Sequence, residues 1–547
     1  MATVDGGAIV GKALRKEGVE KAFVLCGGHT MPIFYGMRRE GIEIIDMRHE
    51  CAAVFAAIGY ARASGKPAVV VTTAGPGVSN TVTGMMEAET VAMPVIQIGG
   101  AVPYSNGRDS GEMQDMSTLN VMKTCSKLAR RVTSIPRIPE YVSMAFRHAV
   151  DLRPGPVYLE VPVDIAFGKV EEESVRFPEK ARATAMPAGN LAAVEEAASL
   201  LAAAERPAAM IDDGARFSIG DDAGAIAELS DYLKMPVSSG NACKGLFGDE
   251  SENPLLRTFG MAQADVALTL GCRFDFRLGA GRWFAKDAKV IQVHTDTRQI
   301  GFNIRADIGI VGGCGPVVRQ LLEAVKAKRD KKEGDPWTGP LQKGLRFSRP
   351  AYEADGVPIH PGRCAGEVAK FLHEDGRDWN VCNDGGEAAG WLGGAWIARR
   401  PGQHHWSGPN GTIGVGAGQV IGTWAANRKP VLWYTGDGSF GFYAMEMDTM
   451  ARFGIPVVCV ISNDSAWGDI KLRQEESFPD EIRGAGHCNV DLAHMRPYEK
   501  MVEMWGGHGE MVTDPGEIIP AIRRAAANGK PSIINVEVDP EITIRNA

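Results

Sequence analysis

The chain has 547 residues, which is enough for about three to four domains and a large buried core. Hydrophobic residues make up 44% and charged residues 23%, as in an ordinary soluble globular protein. The net charge of −8 excludes a strongly basic surface, so we expect neither nucleic acid nor an anionic membrane among its partners.

The start of the chain, MATVDGGAIVGKALRKEG, has no basic segment followed by an apolar one, so no signal peptide is expected. No apolar run approaches the roughly 18 residues that a membrane-spanning helix needs. The ten cysteines are scattered, without a C-x-x-C pair or a metal-ligand spacing. Reduced thiols in a cytoplasmic protein are the simplest interpretation.

Short runs rich in β-branched residues recur along the chain, and each leads through a glycine or serine turn into a helix-like stretch. Near-continuous apolar strands that alternate with helices predict parallel sheets covered on both faces. The runs are KAFVLCGGH, IEIIDMRHE, KPAVVVTTAGPG and MPVIQIGG in the first third, PAAMIDDG, ADVALTLGCRFD, AKVIQVHTD and DIGIVGG in the middle third, and DWNVCNDGG, KPVLWYTGDGS, IPVVCVISND and PSIINVEVD in the last.

Two polar stretches that contain proline and glycine, 168–190 and 327–344, interrupt this pattern and predict interdomain linkers. We therefore expect an α/β protein with three doubly wound parallel-sheet domains, at residues 1–168, 190–328 and 350–547.

Two residues of the first predicted domain have side chains suited to proton transfer. His29 follows two glycines after a strand-like run, in VLCGGHTMPIF, and an imidazole with a pKa of about 6.5 can accept and return a substrate proton. Glu50 begins the unusually apolar helix of IDMRHECAAVFAAIGYARASG. Taken alone, His29 is equally well a structural histidine, and Glu50 a helix N-terminal acid that the helix dipole favours.

The stretch TGDGSFGF in the last third is compatible with two kinds of site. Gly436, Gly438 and Gly441 match the G-x-G-x-x-G turn, which holds the pyrophosphate of a flavin or nicotinamide cofactor on backbone N–H groups. The second position of this turn, however, is Asp437, and its carboxylate would repel a pyrophosphate.

A divalent cation removes this repulsion, because Asp437 can bind the metal and the metal can bind a diphosphate. Asp464 lies 27 residues further on, at the end of the strand-like run PVVCVIS, and neighbouring parallel strands end at the same edge of a sheet. Two carboxylates and the main-chain carbonyl of Ala466 suit Mg²⁺ or Ca²⁺. A nucleotide turn with a solvated Asp437 is the alternative.

The GDGS motif, followed at this spacing by Asn463 and Asp464, resembles the diphosphate-binding motif of thiamine diphosphate (ThDP) enzymes. In that family the second residue of a typical Asn-Asn pair binds the metal, so Asp464 takes its place here and adds a negative charge. RHECAAVFAAIGYAR resembles the family's glutamate helix, and Glu50 falls on the glutamate that protonates the cofactor's aminopyrimidine ring. The resemblance covers essentially the whole chain, in the order pyrimidine-binding, central and diphosphate-binding domain.

The same resemblance assigns further cofactor-binding residues. Gly77 lies in TTAGPGVSN, which is similar to the family's Gly-Pro-Gly loop near the pyrimidine, although a plain glycine-rich turn would look the same. In NGTIGVGAG, Gly411 would accept a hydrogen bond from the 4′-amino group. Ile413 would be the apolar wedge under the two rings, or simply a core residue. NDGGEAAGWLGG, with Gly436, Gly438 and Ser439, would cradle the diphosphate.

The central segments GCRFDFRLG and KVIQVHTDTRQIG resemble the acetolactate synthase-like branch of the family. Benzaldehyde lyase in this branch has a similar entry with a histidine at the place of His29, and Trp467 fits its pattern. Gln114 matches a glutamine that lines the active site across the branch. The resemblance implies a carbon–carbon lyase or carboligase for 2-hydroxy ketones or small 2-oxo acids, working through a ThDP ylide and an enamine. Glu50, His29 and Gln114 would be its catalytic residues.

Several alternatives stay open at this point. An acetolactate synthase-type transferase and a 2-hydroxyacyl-CoA lyase share the cofactor, and the short segment after INVEVD weighs mildly against a CoA ester. A flavin or nicotinamide oxidoreductase and a non-catalytic binding protein belong to other classes. FAD is not expected, because the Met-His-Gly segment that is usual in the FAD pocket of acetolactate synthases is not found between Asn253 and Gly271.

The family resemblance also implies at least a homodimer, and a homotetramer is the other expected state, because the glutamate and the metal motif usually come from different subunits. The polar stretch KLRQEESFPDEIRGAGHCN (471–489) is a candidate mobile cover over the substrate.

Overall fold

The computed structural model describes residues 3–106, 111–179, 181–246, 259–337 and 350–544. In these ranges the chain forms three sheets of five or six strands, and all neighbouring strands within each of the three sheets are parallel. This arrangement confirms the predicted α/β class with three parallel-sheet domains.

The first domain is built on a six-stranded sheet of order β3-β2-β4-β5-β7-β6. Its strands, with the separate antiparallel pair β1 and β8, are β1 (Thr3–Asp5), β2 (Lys21–Leu25), β3 (Glu43–Asp46), β4 (Ala68–Thr72), β5 (Val95–Ala101), β6 (Leu128–Arg131), β7 (Val157–Pro162) and β8 (Lys169–Glu171). The helices are α1 (Gly6–Lys16), α2 (Met31–Arg39), α3 (Glu50–Ser64), α4 (Pro76–Ser79), α5 (Val82–Thr90), α6 (Thr118–Met122), α7 (Ile138–Val150) and α8 (Val163–Phe167).

Helices cover both faces of this first sheet because successive side chains of a strand point to opposite sides. Phe23 packs into a hydrophobic core with α3, whereas its neighbours Ala22 and Val24 pack into a second core with α1. The stretch 168–190, predicted to be a linker, begins with β8, which pairs with β1.

The central domain has a five-stranded sheet of order β10-β9-β11-β12-β13. Its elements are α9 (Leu191–Ala203), β9 (Pro207–Ile211), α10 (Ala223–Leu233), β10 (Val237–Ser239), α11 (Phe259–Gln263), β11 (Val266–Leu270), β12 (Lys289–His294), β13 (Ile308–Val311) and α12 (Cys314–Lys326). Part of the second predicted linker, 338–344, lies outside the described residues. Residues 253–258 also lie outside the described residues. They are the first part of the segment 253–271, on which the expectation that FAD is not bound depends.

The third domain has a six-stranded sheet of order β15-β14-β16-β17-β19-β18. Its strands are β14 (Asn380–Asn383), β15 (His404–His405), β16 (Val431–Gly436), β17 (Val457–Asn463), β18 (His508–Val512) and β19 (Ser532–Glu537). The helices are α13 (Pro361–Glu374), α14 (Glu387–Ala395), α15 (Val415–Asn427), α16 (Asp437–Tyr443), α17 (Glu446–Arg452), α18 (Gly468–Ser477), α19 (Pro479–Ala485), α20 (Glu499–Glu503) and α21 (Ile518–Ala527).

Each sheet contains one strand that lies between the next two strands of the chain. β2 lies between β3 and β4, β9 between β10 and β11, and β14 between β15 and β16. The chain therefore leaves this strand on both sides, and the loops at its carboxyl end diverge. In open α/β sheets such a switch point forms the crevice where ligands bind.

Helix α3 of the first domain packs very closely on helix α15 of the third. A Cβ atom added to Gly418 would lie 2.5 Å from the carbonyl oxygen of Ala52, and one added to Gly422 would overlap the carbonyl oxygen of Ala56. The two backbones approach this closely only because glycines face the partner helix. The first and third domains of one chain thus share a continuous core.

The described helices include none with the length and apolar character that a membrane crossing requires.

Candidate active site

Glu50 is the first residue of α3 and lies beside the loop that follows β4. Its side chain is 8% exposed, and its Oε2 accepts a hydrogen bond from Asn80 Nδ2 at 3.0 Å. His49 caps the helix by accepting the backbone N–H of Cys51 at 3.0 Å. The loop approaches Glu50 closely, since a Cβ on Gly77 would lie 3.7 Å from Glu50 Oε1. The structure thus brings the predicted glutamate and the Gly-Pro-Gly loop together.

His29 and Gln114 meet at Thr73, directly after β4. Thr73 Oγ1 lies 3.4 Å from His29 Nδ1 and donates a hydrogen bond to Gln114 Oε1 at 3.2 Å. Burial lowers the pKa of His29, and this effect exceeds the opposing influence of Glu112 and of a backbone hydrogen bond. The imidazole is therefore neutral near pH 7 and can accept a proton. Sequence reasoning missed Thr73, although its place after a buried strand was a signal.

Gln114 is held in an uncommon backbone conformation. Its φ is +67°, in the left-handed region, and a Cβ on Gly75 would lie 2.8 Å from its own Cβ atom. A non-glycine residue at such a φ is often found at functional sites. Gln114 and Gly75 also line a polar cavity of about 200 Å³ that includes the ion pair of Arg131 with Glu160. Open space therefore lies next to Gln114.

The two predicted metal ligands follow neighbouring strands of the third sheet. Gly436 at the end of β16 is in register with Ser462 of β17, so the residues that come next, Asp437 and Asp464, reach the same sheet edge. Both oxygens of Asp437 are buried without a hydrogen-bond partner among the described residues. Burial, together with the charge of Asp464, raises the pKa of Asp437, and burial also raises the pKa of Asp464.

This pair of carboxylates has the chemistry of a divalent-cation site. A buried carboxylate without partners is costly unless a cation neutralises it, and oxygen donors are what Mg²⁺ and Ca²⁺ prefer. Ala466 lies in the same turn, where its N–H donates to Asp464 Oδ1 at 3.1 Å. Among the described residues no group of three or more His, Cys, Asp or Glu side chains could hold a metal, so the two carboxylates alone do not complete a coordination shell.

Asn463 has a structural role next to this pair. Its Nδ2 donates to Asn535 Oδ1 at 3.0 Å, and its Oδ1 accepts the backbone N–H of Ser465 at 3.0 Å. Both ends of the amide are therefore engaged in holding the turn. Asp464 is left as the side chain of the Asn-Asp pair that can reach a cation.

Asp384 joins the loop after β14 to the start of α15, and sequence reasoning did not single it out. Its Oδ1 accepts the N–H groups of Gly385 at 2.7 Å and Gly414 at 3.1 Å, and its Oδ2 accepts that of Gly416 at 2.8 Å. Burial raises the pKa of Asp384 to about 6. The carboxylate fixes the two loops at the switch point of the third sheet relative to one another.

Glycines allow the loops at this crevice to pack closely. The φ of Gly385 is +98°, and a Cβ there would lie 3.0 Å from Ser439 Oγ. A Cβ on Gly438 would lie 2.6 Å from the ring of Trp467. Side chains at these positions would collide with Ser439 and Trp467, so the close approach of these loops requires glycine.

Gly411 and Ile413 lie on the loop before α15. Gly411 is exposed with a φ of +64°, and Ile413 is half-buried and belongs to none of the hydrophobic cores of the described residues. The next residue, Gly414, lies close to Phe442 of α16. Ile413 thus lies beside the crevice at the switch point of the third sheet, and it is outside the hydrophobic cores of the described residues.

The predicted residues form two groups within one chain. His29, Glu50, Gly77 and Gln114 lie at the switch point of the first sheet, and the remaining residues lie at that of the third. The ring of Tyr443, at the end of α16, connects the groups by an edge-on contact with His49 at 5.2 Å between centroids.

Three family profiles match the sequence. They describe the N-terminal TPP-binding domain of thiamine pyrophosphate enzymes (residues 4–121), the central domain (194–321) and the C-terminal TPP-binding domain (384–536).

Curated relatives match over nearly their whole length. The chain is 30% identical to a probable acetolactate synthase large subunit of Methanocaldococcus jannaschii, over 98% of this chain and 92% of that protein. It is 30% identical to an acetolactate synthase large subunit of Mycobacterium tuberculosis, over 99% and 97% respectively. Identity to the 2-hydroxyacyl-CoA lyase of Arabidopsis thaliana is 29%, over 98% and 96%.

Proposed function

The chain belongs to the thiamine pyrophosphate enzymes, and from this premise we propose that it is a Mg²⁺-assisted carbon–carbon lyase or carboligase for 2-hydroxy ketones or small 2-oxo acids. ThDP, when bound, supplies a nucleophilic carbon and an electron sink for breaking or forming a carbon–carbon bond. The observation that carries the proposed chemistry is the contact of His29 and Gln114 through Thr73, at the same switch point as Glu50.

Each group would have a defined task. Glu50, held by Asn80, would protonate the far nitrogen of the cofactor's aminopyrimidine ring. Asp437, Asp464 and the carbonyl of Ala466 would hold the cation, whose charge would offset that of the diphosphate. Ser439 and the glycines of the crevice would receive the phosphate oxygens, whereas Gly411 and Ile413 would position the rings.

His29 would take the proton of the substrate's hydroxyl group. In a 2-hydroxy ketone this proton must leave before the carbon–carbon bond breaks and an aldehyde departs. Burial keeps the imidazole neutral, and Thr73 orients it. The amide of Gln114 would bind the second oxygen atom of the substrate, so that both oxygens are held while the bond breaks.

We also propose a homodimer or homotetramer with its active sites between subunits. Large hydrophobic side chains are exposed beside both groups: Met31 at 47%, Met113 at 78% and Met116 at 50% in the first domain, with Phe442 at 53% and Met445 at 47% in the third. A partner subunit that covers them would bring its own half of the site to each group. We propose the cytoplasm as location, since eight of the ten free cysteines are buried and none needs oxidation.

A specific observation favours a second candidate function. The matched relatives are named acetolactate synthase and 2-hydroxyacyl-CoA lyase. A transferase that makes acetolactate, or a lyase for 2-hydroxyacyl-CoA esters, would use the same cofactor-binding residues and a different substrate pocket. We propose that none of these activities requires FAD in this chain, and a visible absorption spectrum of the purified protein tests that point.

The test is to load the protein with ThDP and Mg²⁺ and to follow benzoin, acetoin, pyruvate, benzoylformate and a 2-hydroxyacyl-CoA by proton NMR. Cleavage of benzoin or acetoin to aldehyde supports the proposal. Conversion of pyruvate to acetolactate, or consumption of the CoA ester alone, assigns the second candidate. Glu50→Gln is the control, because undiminished activity with saturating ThDP in this variant contradicts the mechanism.

A further inference from the structure

Glu446, the first residue of α17 in the third domain, binds the main chain directly before Glu50 of the first domain. The N–H of Arg48 donates to Oε1 at 3.0 Å and to Oε2 at 3.3 Å, and the N–H of His49 donates to Oε1 at 3.0 Å. Oε2 also accepts the hydroxyl of Thr449 at 2.7 Å. The carboxylate is fully buried, so water cannot replace these contacts.

The rest of the short connection between β3 and α3 is held from the same direction. Arg452 Nη2 donates to the carbonyl oxygen of Asp46 at 2.8 Å, and the Arg48 guanidinium lies 3.7 Å from Asp448 Oδ2. The ring of Tyr443 packs edge-on against His49. Residues 443–452 of the third domain therefore determine where the connection runs, and with it where α3 begins.

The position of this connection matters because Glu50 is the first residue of α3. A catalytic acid must lie within hydrogen-bond distance of the atom that it protonates, and a displacement of about 1 Å can cost roughly 100-fold in rate. Removing Glu446 would leave the N–H groups of Arg48 and His49 without their acceptor, and the main chain would move to satisfy them.

We propose that Glu446 is a positioning residue for Glu50, acting through the N–H groups of Arg48 and His49 and not on the cofactor or the substrate. This inference rests on the proposed role of Glu50 in activating ThDP. We call the hydrogen bonds from the N–H groups of Arg48 and His49 to the Glu446 carboxylate the clamp. Helices α16 and α17 would then serve both sites, because α16 begins with Asp437 of the proposed metal site and α17 begins with Glu446 of the clamp.

The hydrogen-bond pattern defines a discriminating set of variants. In Glu446→Gln the amide oxygen can keep both backbone donors while the amide NH₂ donates to Thr449, so the clamp survives without its charge. Glu446→Ala removes the clamp. Glu446→Asp keeps the carboxylate but moves it one methylene away from the N–H groups of Arg48 and His49. This variant tests the length of the hydrogen bonds, and it leaves a smaller cavity than Glu446→Ala. Glu517→Ala is the matched control, because it makes the same substitution at a carboxylate that is 58% exposed and pairs with Arg524.

The readout is the rate at which the C2 proton of bound ThDP exchanges with deuterium, which reports cofactor activation and needs no substrate. It is measured by NMR after acid quench, alongside the Kd for ThDP and the Tm. We expect Glu446→Ala and Glu446→Asp to slow exchange by roughly 10- to 100-fold, with the Kd for ThDP changed less than about threefold. Glu446→Gln and Glu517→Ala should stay close to the wild-type rate.

Three outcomes overturn the inference. One is wild-type exchange in a folded Glu446→Asp or Glu446→Ala protein. Another is equal loss in Glu446→Gln and Glu446→Ala, which would make the charge and not the clamp responsible. The third is a fall in ThDP affinity that parallels the fall in exchange. Exchange at the wild-type rate in Glu50→Gln would instead contradict the proposed role of Glu50, so the two failures are distinguishable.

Discussion

The proposed metal site departs at one residue, Asp464, from the Asn-Asn pair that is typical of the family. An Asp-Asp pair places two negative charges where an Asp-Asn pair would place one, and Asp437 has no hydrogen-bond partner among the described residues to share its charge. The free protein should therefore attract a divalent cation even without ThDP, because the cation relieves the repulsion within the pair.

We predict that Asp464→Asn weakens the binding of Mn²⁺ to the ThDP-free protein by roughly tenfold, since one unit of attracting charge is lost at short range. Titration followed by electron paramagnetic resonance of free Mn²⁺ measures this directly. Asp480→Asn, which removes an equal charge from a carboxylate that is 82% exposed, should leave the affinity unchanged. Equal affinity in Asp464→Asn and wild type would show that Asp464 does not bind the cation.

His29 supports a prediction on pH dependence. If its neutral form accepts the substrate proton, kcat/KM falls when the imidazole becomes protonated. Because burial lowers its pKa, the acid limb of the profile should lie below pH 6.5, and activity should be constant from about pH 7 down to that limb. His29→Gln should lose roughly 100-fold in kcat/KM together with this limb. An unchanged limb in the variant would assign it to another group.

Helix α3 shows how one element ties two domains together. Ala52, Ala56 and Gly59 form its contact surface toward α15, where Gly418 and Gly422 face them. Because glycines face the carbonyl oxygens of Ala52 and Ala56, the two backbones come into close contact there. The start of α3 is held by Glu446 and its middle by α15, so the orientation of the helix that begins with Glu50 depends on the third domain at both places.

We predict that Gly422→Ala lowers the free energy of unfolding by about 1–3 kcal/mol, because the new methyl group overlaps the carbonyl oxygen of Ala56 and neither backbone can yield without repacking. Thermal denaturation should show the loss as a lower Tm. Gly224→Ala is the matched control: it lies in α10 with no atom within 4 Å of the added Cβ, and alanine there should be neutral or slightly stabilising. Equal Tm values for the two variants would contradict the close contact.

The local pattern of residues predicted most of the buried strands, but it did not predict every strand pairing. Near-continuous apolar runs such as VVCVIS predicted buried strands, and parallel pairing of β16 with β17 follows the expectation for ends that share one edge. The pattern did not predict β8, which begins the first expected linker, because a short exposed strand is stabilised by its pairing with β1 and not by its own composition.

At the scale of the whole molecule, the proposed site residues form two groups, and we propose that a partner subunit completes each of them. In one chain the first-domain group and the third-domain group lie at different sheets, and Tyr443 and Glu446 of the third domain contact the segment before Glu50. If each Glu50 serves the cofactor held by a neighbouring subunit, the clamp also links the two active sites of a dimer.

Mixing two inactive variants tests this arrangement. Glu50→Gln damages the first-domain group and Asp437→Ala the third-domain group, so a mixed dimer would contain one site with both defects and one site with neither. We therefore predict partial recovery of activity when the two variants are unfolded and refolded together. Each variant refolded alone is the control. No recovery, although mass spectrometry shows mixed dimers, would place the whole active site within a single chain.

The sequence alone determined the family of this protein, through a carboxylate between glycines after a strand, a second carboxylate after the next strand, and a glutamate at the head of an apolar helix. Such signals are local, because a turn, a strand end and a helix start each depend on a few consecutive residues. Only the tertiary structure decided how these residues are held. Thr73 between His29 and Gln114, Asp384 between two loops, and Glu446 on a main chain 398 residues away are contacts between distant parts of the sequence. Their partners depend on how the three sheets pack, which no local pattern encodes.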